Sequence, residues 1–279
     1  MARPDPDRLL TPEALSALLE HSSATRILLV DVGAPDRYAR AHVPGAVLVT
    51  PAELVDGRPP ASGRLPDEER LAALFSRLGL EPETRVIAYD DEGGGWAGRL
   101  IWTLEVVGHG NWAYLDGGLH AWHGAGLPLS AEAAEPTPGQ FEVKMNAAPV
   151  AEAEAIMVAL ADRPDDLVVW DARSPEEYRG EKVAARRAGH IPGAVNLDWV
   201  ELMDRDRHLR LREDLAAELE ARGITPDKEV VTHCQTHHRS GLTWLAARLL
   251  GYPRLKAYHG SWGEWGNRDD TPITTGERP

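Results

Sequence analysis

Apolar positions in this chain gather into short runs rich in β-branched residues, and these alternate with stretches of helical character. RILLVD (26–31), RVIAYD (85–90), DLVVWD (166–171) and EVVTHC (229–234) have the length and residue types of buried strands. LTPEALSALLE (10–20) reads as a helix with Thr11 as its N-cap. DEERLAALFSRLGL (67–80) and REDLAAELEARGI (212–224) predict two more, closing at Gly79 and Gly223. Strands separated by helices call for a parallel sheet with helices on both faces, so the expected fold class is α/β.

The pattern occurs twice. Asp31 and Asp171 each end an apolar run, and a tyrosine follows seven residues later in both, Tyr38 and Tyr178. AHVPGAV (41–47) matches GHIPGAV (189–195), RVIAYD matches EVVTHC, and LDGGLHAW (115–122) matches YHGSWGEW (258–265). The helical stretches between the last two pairs end at Gly108 and Gly251. Five segments recurring in one order, 140 to 148 residues apart, make the chain a tandem repeat. We place one domain at 1–129, a linker at 130–150 and a second domain at 151–279. The stretch 127–149 has several prolines and no helical or strand period.

Composition narrows the function class. With 43% hydrophobic and 27% charged residues, the 279-residue chain can build two cores. A formal net charge of −14 argues against nucleic acid or an anionic membrane as partner. No apolar run approaches the ~18 residues of a membrane span, and MARPDPDRLL has no apolar leader segment. One cysteine excludes an internal disulfide framework. These features lead us to expect a cytoplasmic protein.

That cysteine, Cys234, stands where open parallel sheets collect their chemistry, at the carboxyl end of a strand and ahead of a helix. The helix GLTWLAARLLG follows the loop QTHHRS, so backbone N–H groups and the helix dipole both favour a thiolate. His237, His238 and Arg239 add actual or potential positive charge. His42 and His190 precede the Pro-Gly-Ala turns in both halves, including the half without a cysteine, and we read them as structural. Trp262 and Trp265 are read as packing residues, and Trp199 has two readings, core packing first and pocket lining second.

HCQTHHRSG (233–241), the element Tyr38-x3-His42-Val-Pro-Gly-Ala and GSWGEWGN (260–267) together resemble the rhodanese family, the thiosulfate sulfurtransferases, across essentially the whole chain. The resemblance implies two tandem rhodanese domains, each a parallel sheet flanked by helices. It implies that the first is non-catalytic and walls the active site, because Asp90 stands where the second has Cys234. It also implies a ping-pong transfer of sulfane sulfur from thiosulfate, through a Cys234 persulfide, to cyanide, a thiol or a sulfur-accepting protein. No cofactor or metal is expected, and the fused pair suggests a monomer.

Gln235, Thr236, His237, His238, Arg239, Ser240 and Gly241 would form the persulfide-binding loop, offering N–H groups to the terminal sulfur. Arg239 has two readings: it holds the anionic substrate, or it pairs with Asp171 or Glu177. Arg173, similar to an arginine often present in the family, contacts substrate or braces the loop. The loop departs from the family's C-R-K-G type, having Thr236 in the lysine's place, and from the C-G-S-G type of the mercaptopyruvate branch. Two rival classes share these residues. A phosphatase would need C-x5-R, one residue more than separates Cys234 from Arg239. A zinc site built from His233, Cys234, His237 and His238 would need adjacent strand residues to face one ion.

Overall fold

The computed structural model describes residues 3–21, 26–162 and 164–278. In the first half the elements run β1 (Leu9–Leu10), α1 (Pro12–His21), β2 (Ile27–Val32), α2 (Pro35–Tyr38), β3 (Val47–Val49), α3 (Glu68–Arg77), β4 (Arg85–Tyr89), α4 (Gly95–Val106), β5 (Trp112–Leu115) and α5 (Gly118–Gly124). The second half begins with β6 (Val150–Ala151), α6 (Ala153–Asp162), β7 (Leu167–Asp171), α7 (Pro175–Arg179) and β8 (Val195–Asn196). A hairpin of β9 (Met203–Asp204) and β10 (Arg210–Leu211) is followed by α8 (Leu215–Ala221), β11 (Glu229–His233), α9 (Arg239–Leu249), β12 (Leu255–Tyr258) and α10 (Ser261–Trp265).

The two sheets have one topology. The orders β1-β5-β4-β2-β3 and β6-β12-β11-β7-β8 are the same permutation, parallel throughout. The antiparallel β9–β10 hairpin belongs to the second half alone. Each apolar run at a sheet centre is buried on both faces, which is why RVIAY and EVVTH read as near-continuous apolar strands. Gly108 and Gly251 end α4 and α9 at φ of 87° and 80°, a conformation that glycine adopts without strain. The Thr11 hydroxyl accepts the Ala14 N–H at 3.2 Å, capping α1. The helix expected at 212–224 is shorter, Leu215–Ala221, and the Arg212 backbone N–H bonds Leu202 O instead of entering it.

One apolar cluster runs through both halves, joining Leu100, Ile101 and Leu104 to Leu242, Leu245 and Ala246. Each half keeps a second cluster of its own. The seam is the α4–α9 pair, where the backbones nearly touch: a Cβ on Gly98 would lie 2.3 Å from the Gly241 carbonyl oxygen, and one on Gly241 2.3 Å from that of Gly95. The stretch 130–149 has no helix or strand, yet it is tied to the first half. Ser130 exchanges backbone hydrogen bonds with His42, and Phe141 meets Phe75 edge-on at 5.4 Å.

The tyrosine–histidine pairs at the two Pro-Gly-Ala turns are built alike. Tyr38 stacks on His42 at 3.9 Å, and Tyr178 on His190 at 3.6 Å. Each tyrosine hydroxyl donates across the turn, Tyr38 to Ala46 O and Tyr178 to Ala194 O, both at 2.7 Å. Each histidine Nδ1 meets its tyrosine's carbonyl, at 2.7 and 2.8 Å. Both histidines are thus bound into their turns.

Candidate active site

Cys234 follows β11 directly and is 1% exposed. The loop from Gln235 to His238 then turns into α9. His237 makes that turn at φ 55°, in the left-handed region that histidine tolerates better than most residues. The carbonyls at the head of the loop are taken up by α10. Cys234 O accepts the Trp262 N–H and Gln235 O accepts the Gly263 N–H, both at 2.9 Å. The first turn of α10 therefore holds the loop by its carbonyls, and this is the structural role of GSWGEW. The Cys234 N–H donates to Ser261 Oγ at 3.3 Å.

Burial pushes the Cys234 thiol up, but the Arg239 charge, the Ser240 main chain and hydroxyl, and the Thr236 main chain outweigh it. The net result is a thiol held below its ordinary range, which is what a sulfur nucleophile requires. Arg239 itself grips Glu177 with both terminal nitrogens, at 2.6 and 3.0 Å. Of the two partners considered, Glu177 takes Arg239, while Asp171 is held by Arg173 through four hydrogen bonds of 2.6 to 3.1 Å. Arg173 is 1% exposed, also donates to Gly189 O at 2.8 Å and lies 4.3 Å from the Trp262 ring centroid. Its Nε and one terminal nitrogen are thus taken up by Asp171 and Gly189.

The remaining loop residues divide between interior and rim. His237 is fully buried, with Nδ1 2.8 Å from Ser240 Oγ and its ring edge-on to Trp102 at 4.5 Å. Burial, then Arg99, holds it well below the ordinary histidine range, so it is neutral at neutral pH. His238 lies at the rim, stacked on Trp96 at 4.4 Å, tilted against Trp199 at 5.6 Å and hydrogen-bonded to Glu92. Gln235 donates to Ala184 O at 3.0 Å. Gly241 lies against α4 of the first half. The first half thus contributes Glu92, Trp96, Arg99 and Trp102 around the loop, none of which its local sequence pattern singled out.

The first half contains the same loop with a different occupant. Asp90 follows β4 as Cys234 follows β11, and Gly93 takes the left-handed turn, φ 97°, that His237 takes in the second. The Asp90 carboxylate accepts N–H groups from Glu92, Gly93, Gly94 and Ala97, at 2.8 to 3.2 Å. Its own carbonyl accepts the Leu119 N–H from α5, as Cys234 O accepts from α10. Burial and then Glu92 push the Asp90 carboxyl up to about 6, against the Ala97, Gly94 and Glu92 amides, which favour the charged form. The strand–loop–helix unit of this fold therefore makes an anion cradle, which the first half closes with its own side chain.

The rival chemistries meet specific obstacles. Arg239, the phosphatase-type arginine, is committed to Glu177. His233 points to Asp171, 3.6 Å away, and among the described residues no group of three or more His, Cys, Asp or Glu side chains is gathered to hold a metal ion. No helix among the described residues is long and apolar enough to cross a membrane. A cleft of about 520 Å³ lined by Arg3, Leu9, Asp116, Arg207, Leu211 and Leu250 shares no residue with the Cys234 loop.

Known proteins share both sequence and fold. The chain is 52% identical over 265 residues to a thiosulfate sulfurtransferase of Azotobacter vinelandii, covering 95% of this chain and 96% of that one. It is 35% identical over 257 residues to a sulfur carrier protein of Thermus thermophilus, 86% and 87% of the two chains. Its backbone follows that of the anaerobic ergothioneine biosynthesis enzyme from Chlorobium limicola with a TM-score of 0.86, at 23% identity over 97% of this chain and 71% of that one, a likeness of fold alone. The family model for the rhodanese-like domain matches twice, at residues 11–125 and 155–268, and the chain belongs to that family as a tandem of two such domains.

Proposed function

We propose that this protein is a thiosulfate sulfurtransferase whose sulfur is carried on Cys234. The thiolate attacks the sulfane sulfur of thiosulfate, a new S–S bond forms, and sulfite departs with the electron pair of the broken S–S bond. The product is the persulfide Cys234–S–S⁻. Cyanide or a thiolate then takes the terminal sulfur, and the pair of that S–S bond returns to Cys234 as thiolate. Charge balances in both halves, and no external oxidant enters.

One observation carries this reading above the others. The loop that surrounds Cys234 has, in the first domain, four amides closed on a carboxylate. In the second domain a cysteine stands at that position, with the Ser240 and Thr236 main chains reaching its sulfur. A cradle made for an anion favours both the thiolate and the persulfide, and stabilises charge where it develops. The loop residues Gln235 to Gly241 are the persulfide-binding segment. Arg239 supplies charge while paired with Glu177, and Arg173 braces. Initial rates measured against thiosulfate and cyanide should give parallel double-reciprocal lines, with no turnover in Cys234→Ser; intersecting lines would mean both substrates bind before any sulfur moves.

A second reading is favoured by the relative named a sulfur carrier protein. In it the persulfide forms in the same way and its acceptor is a protein thiol. A lone cysteine that must stay reduced suits a reducing compartment, and we place the protein in the cytoplasm. The apolar seam between the halves supports a monomeric working unit.

A further inference from the structure

Arg99, on α4 of the domain that lacks a nucleophile, is fully buried. Its NH1 donates to Gly63 O and its NH2 to Leu54 O, both at 2.8 Å, while Nε has no hydrogen-bond partner. Among the described residues no carboxylate forms an ion pair with it. A guanidinium buried without a counter-ion is costly and calls for an explanation.

The two carbonyls it bridges lie in a strap, residues 54–65, that folds back on itself through Asp56 N–H to Arg64 O at 2.8 Å and Gly57 N–H to Ser62 O at 3.0 Å. The strap crosses onto the second domain. Arg64 pairs with Glu264 at 2.7 Å and Glu152 at 3.1 Å, and the Leu65 N–H donates to His259 Nδ1 at 3.0 Å. Gly63 then abuts the active loop so closely that a Cβ there would lie 2.0 Å from Thr236 O. Pro60 O backs Gly263, the α10 residue whose N–H holds Gln235 O.

We propose that Arg99 is a positioning residue for sulfur transfer at Cys234, clamping the 54–65 strap of the first domain onto the Thr236 main chain that faces the sulfur. The role rests on Cys234 being the sulfur carrier. Electrostatics point the same way. Burial lowers Arg99 to about 9, and the Cys234 charge opposes that lowering, so the two groups feel each other across the seam. The neighbouring His237 and His259 are both pushed down, by burial first, and Arg99 lowers each further. With those histidines neutral, Arg99 adds its charge to that of Arg239, the foremost cation at the thiol. The non-catalytic domain thus acts on the site in two ways, fixing one side of the persulfide cradle and supplying a second positive charge.

Three variants separate the two contributions. Arg99→Lys keeps a charge but cannot bridge both carbonyls, Arg99→Met removes both, and Gly63→Ala pushes on Thr236 with Arg99 intact. Thiolate absorbance against pH reads the thiol pKa, single-turnover sulfur uptake from thiosulfate reads positioning, and thermal unfolding confirms folding. Arg99→Lys and Gly63→Ala should take up sulfur about 10- to 100-fold more slowly, the cost of a misplaced reacting group. The thiol pKa should stay near wild type in Arg99→Lys and rise in Arg99→Met. Wild-type uptake rates in Arg99→Lys and Gly63→Ala, or an unmoved thiol pKa in Arg99→Met, would overturn the role of Arg99 while leaving the persulfide cycle standing. Should the Arg99 variants not fold, the rate of Gly63→Ala decides alone. A wild-type protein that takes up no sulfur overturns the persulfide reading, and this role with it.

Discussion

Replacing Arg239 with methionine slows sulfur uptake from thiosulfate by about 10²- to 10³-fold in kcat/KM, the range seen when one preorganised charge-stabilising group is removed. After burial, which acts against the thiolate, Arg239 is the foremost influence on Cys234 and the one that most favours it. Without it the thiol pKa rises. Since only the thiolate attacks, the acid limb of the pH–rate profile moves to higher pH. The variant also leaves Glu177 buried without its partner, a loss toward the low end of about 3–5 kcal/mol because Arg239 is itself partly exposed. Glu177→Gln sorts these effects. Alone it frees the Arg239 charge and lowers the thiol pKa further; combined with Arg239→Met it restores stability while the pKa stays raised. An Arg239→Met enzyme with an unshifted acid limb would show that the arginine acts through folding alone.

Arg173→Met has the largest expected effect on stability. Asp171 and Arg173 are 0% and 1% exposed, and the arginine also ties Gly189 and covers Trp262. Removing it strands a carboxylate in the core beside His233, at a cost of about 3–5 kcal/mol. For a chain of this size that lowers Tm by roughly 5–9 °C. The pH dependence has a definite sign. Burial raises Asp171, but Arg173 and His233 outweigh it, and its pKa lies below the ordinary carboxylate range. The stability it contributes is present above that range and lost as pH falls through the lowered pKa. In Arg173→Met the carboxylate pKa rises instead, so the gap between variant and wild type narrows on acidification. Thermal melts at neutral and mildly acidic pH test both parts, and a constant gap would contradict the pairing.

Much of this site was legible before the structure. The run EVVTH ending at Cys234, followed by QTHHRS and a helix, placed the nucleophile at a strand end by period alone, and the repeat identified Asp90 as its counterpart. What the repeat did not show is that Asp90 fills the cradle with its own carboxylate, because four converging amides come from loop geometry. The partner of Arg239 stayed open because Asp171 ends β7 and Glu177 lies just beyond it on α7; the two-residue spacing from Asp171 to Arg173 settles it. Trp262 read as packing, and its ring is buried, yet its backbone N–H also holds the Cys234 carbonyl. Arg99 and Gly63 left no local signal. Their positions matter only where the two halves meet, and that contact is a product of both cores.

The central claim, a persulfide on Cys234, is open to one direct measurement: the intact mass of the protein after thiosulfate treatment and removal of the excess, with and without cyanide. Wild type should gain the mass of one sulfur atom, lose it to cyanide, and gain nothing once Cys234 is replaced by serine. An unchanged wild-type mass, or a gain that survives in Cys234→Ser, would contradict the account.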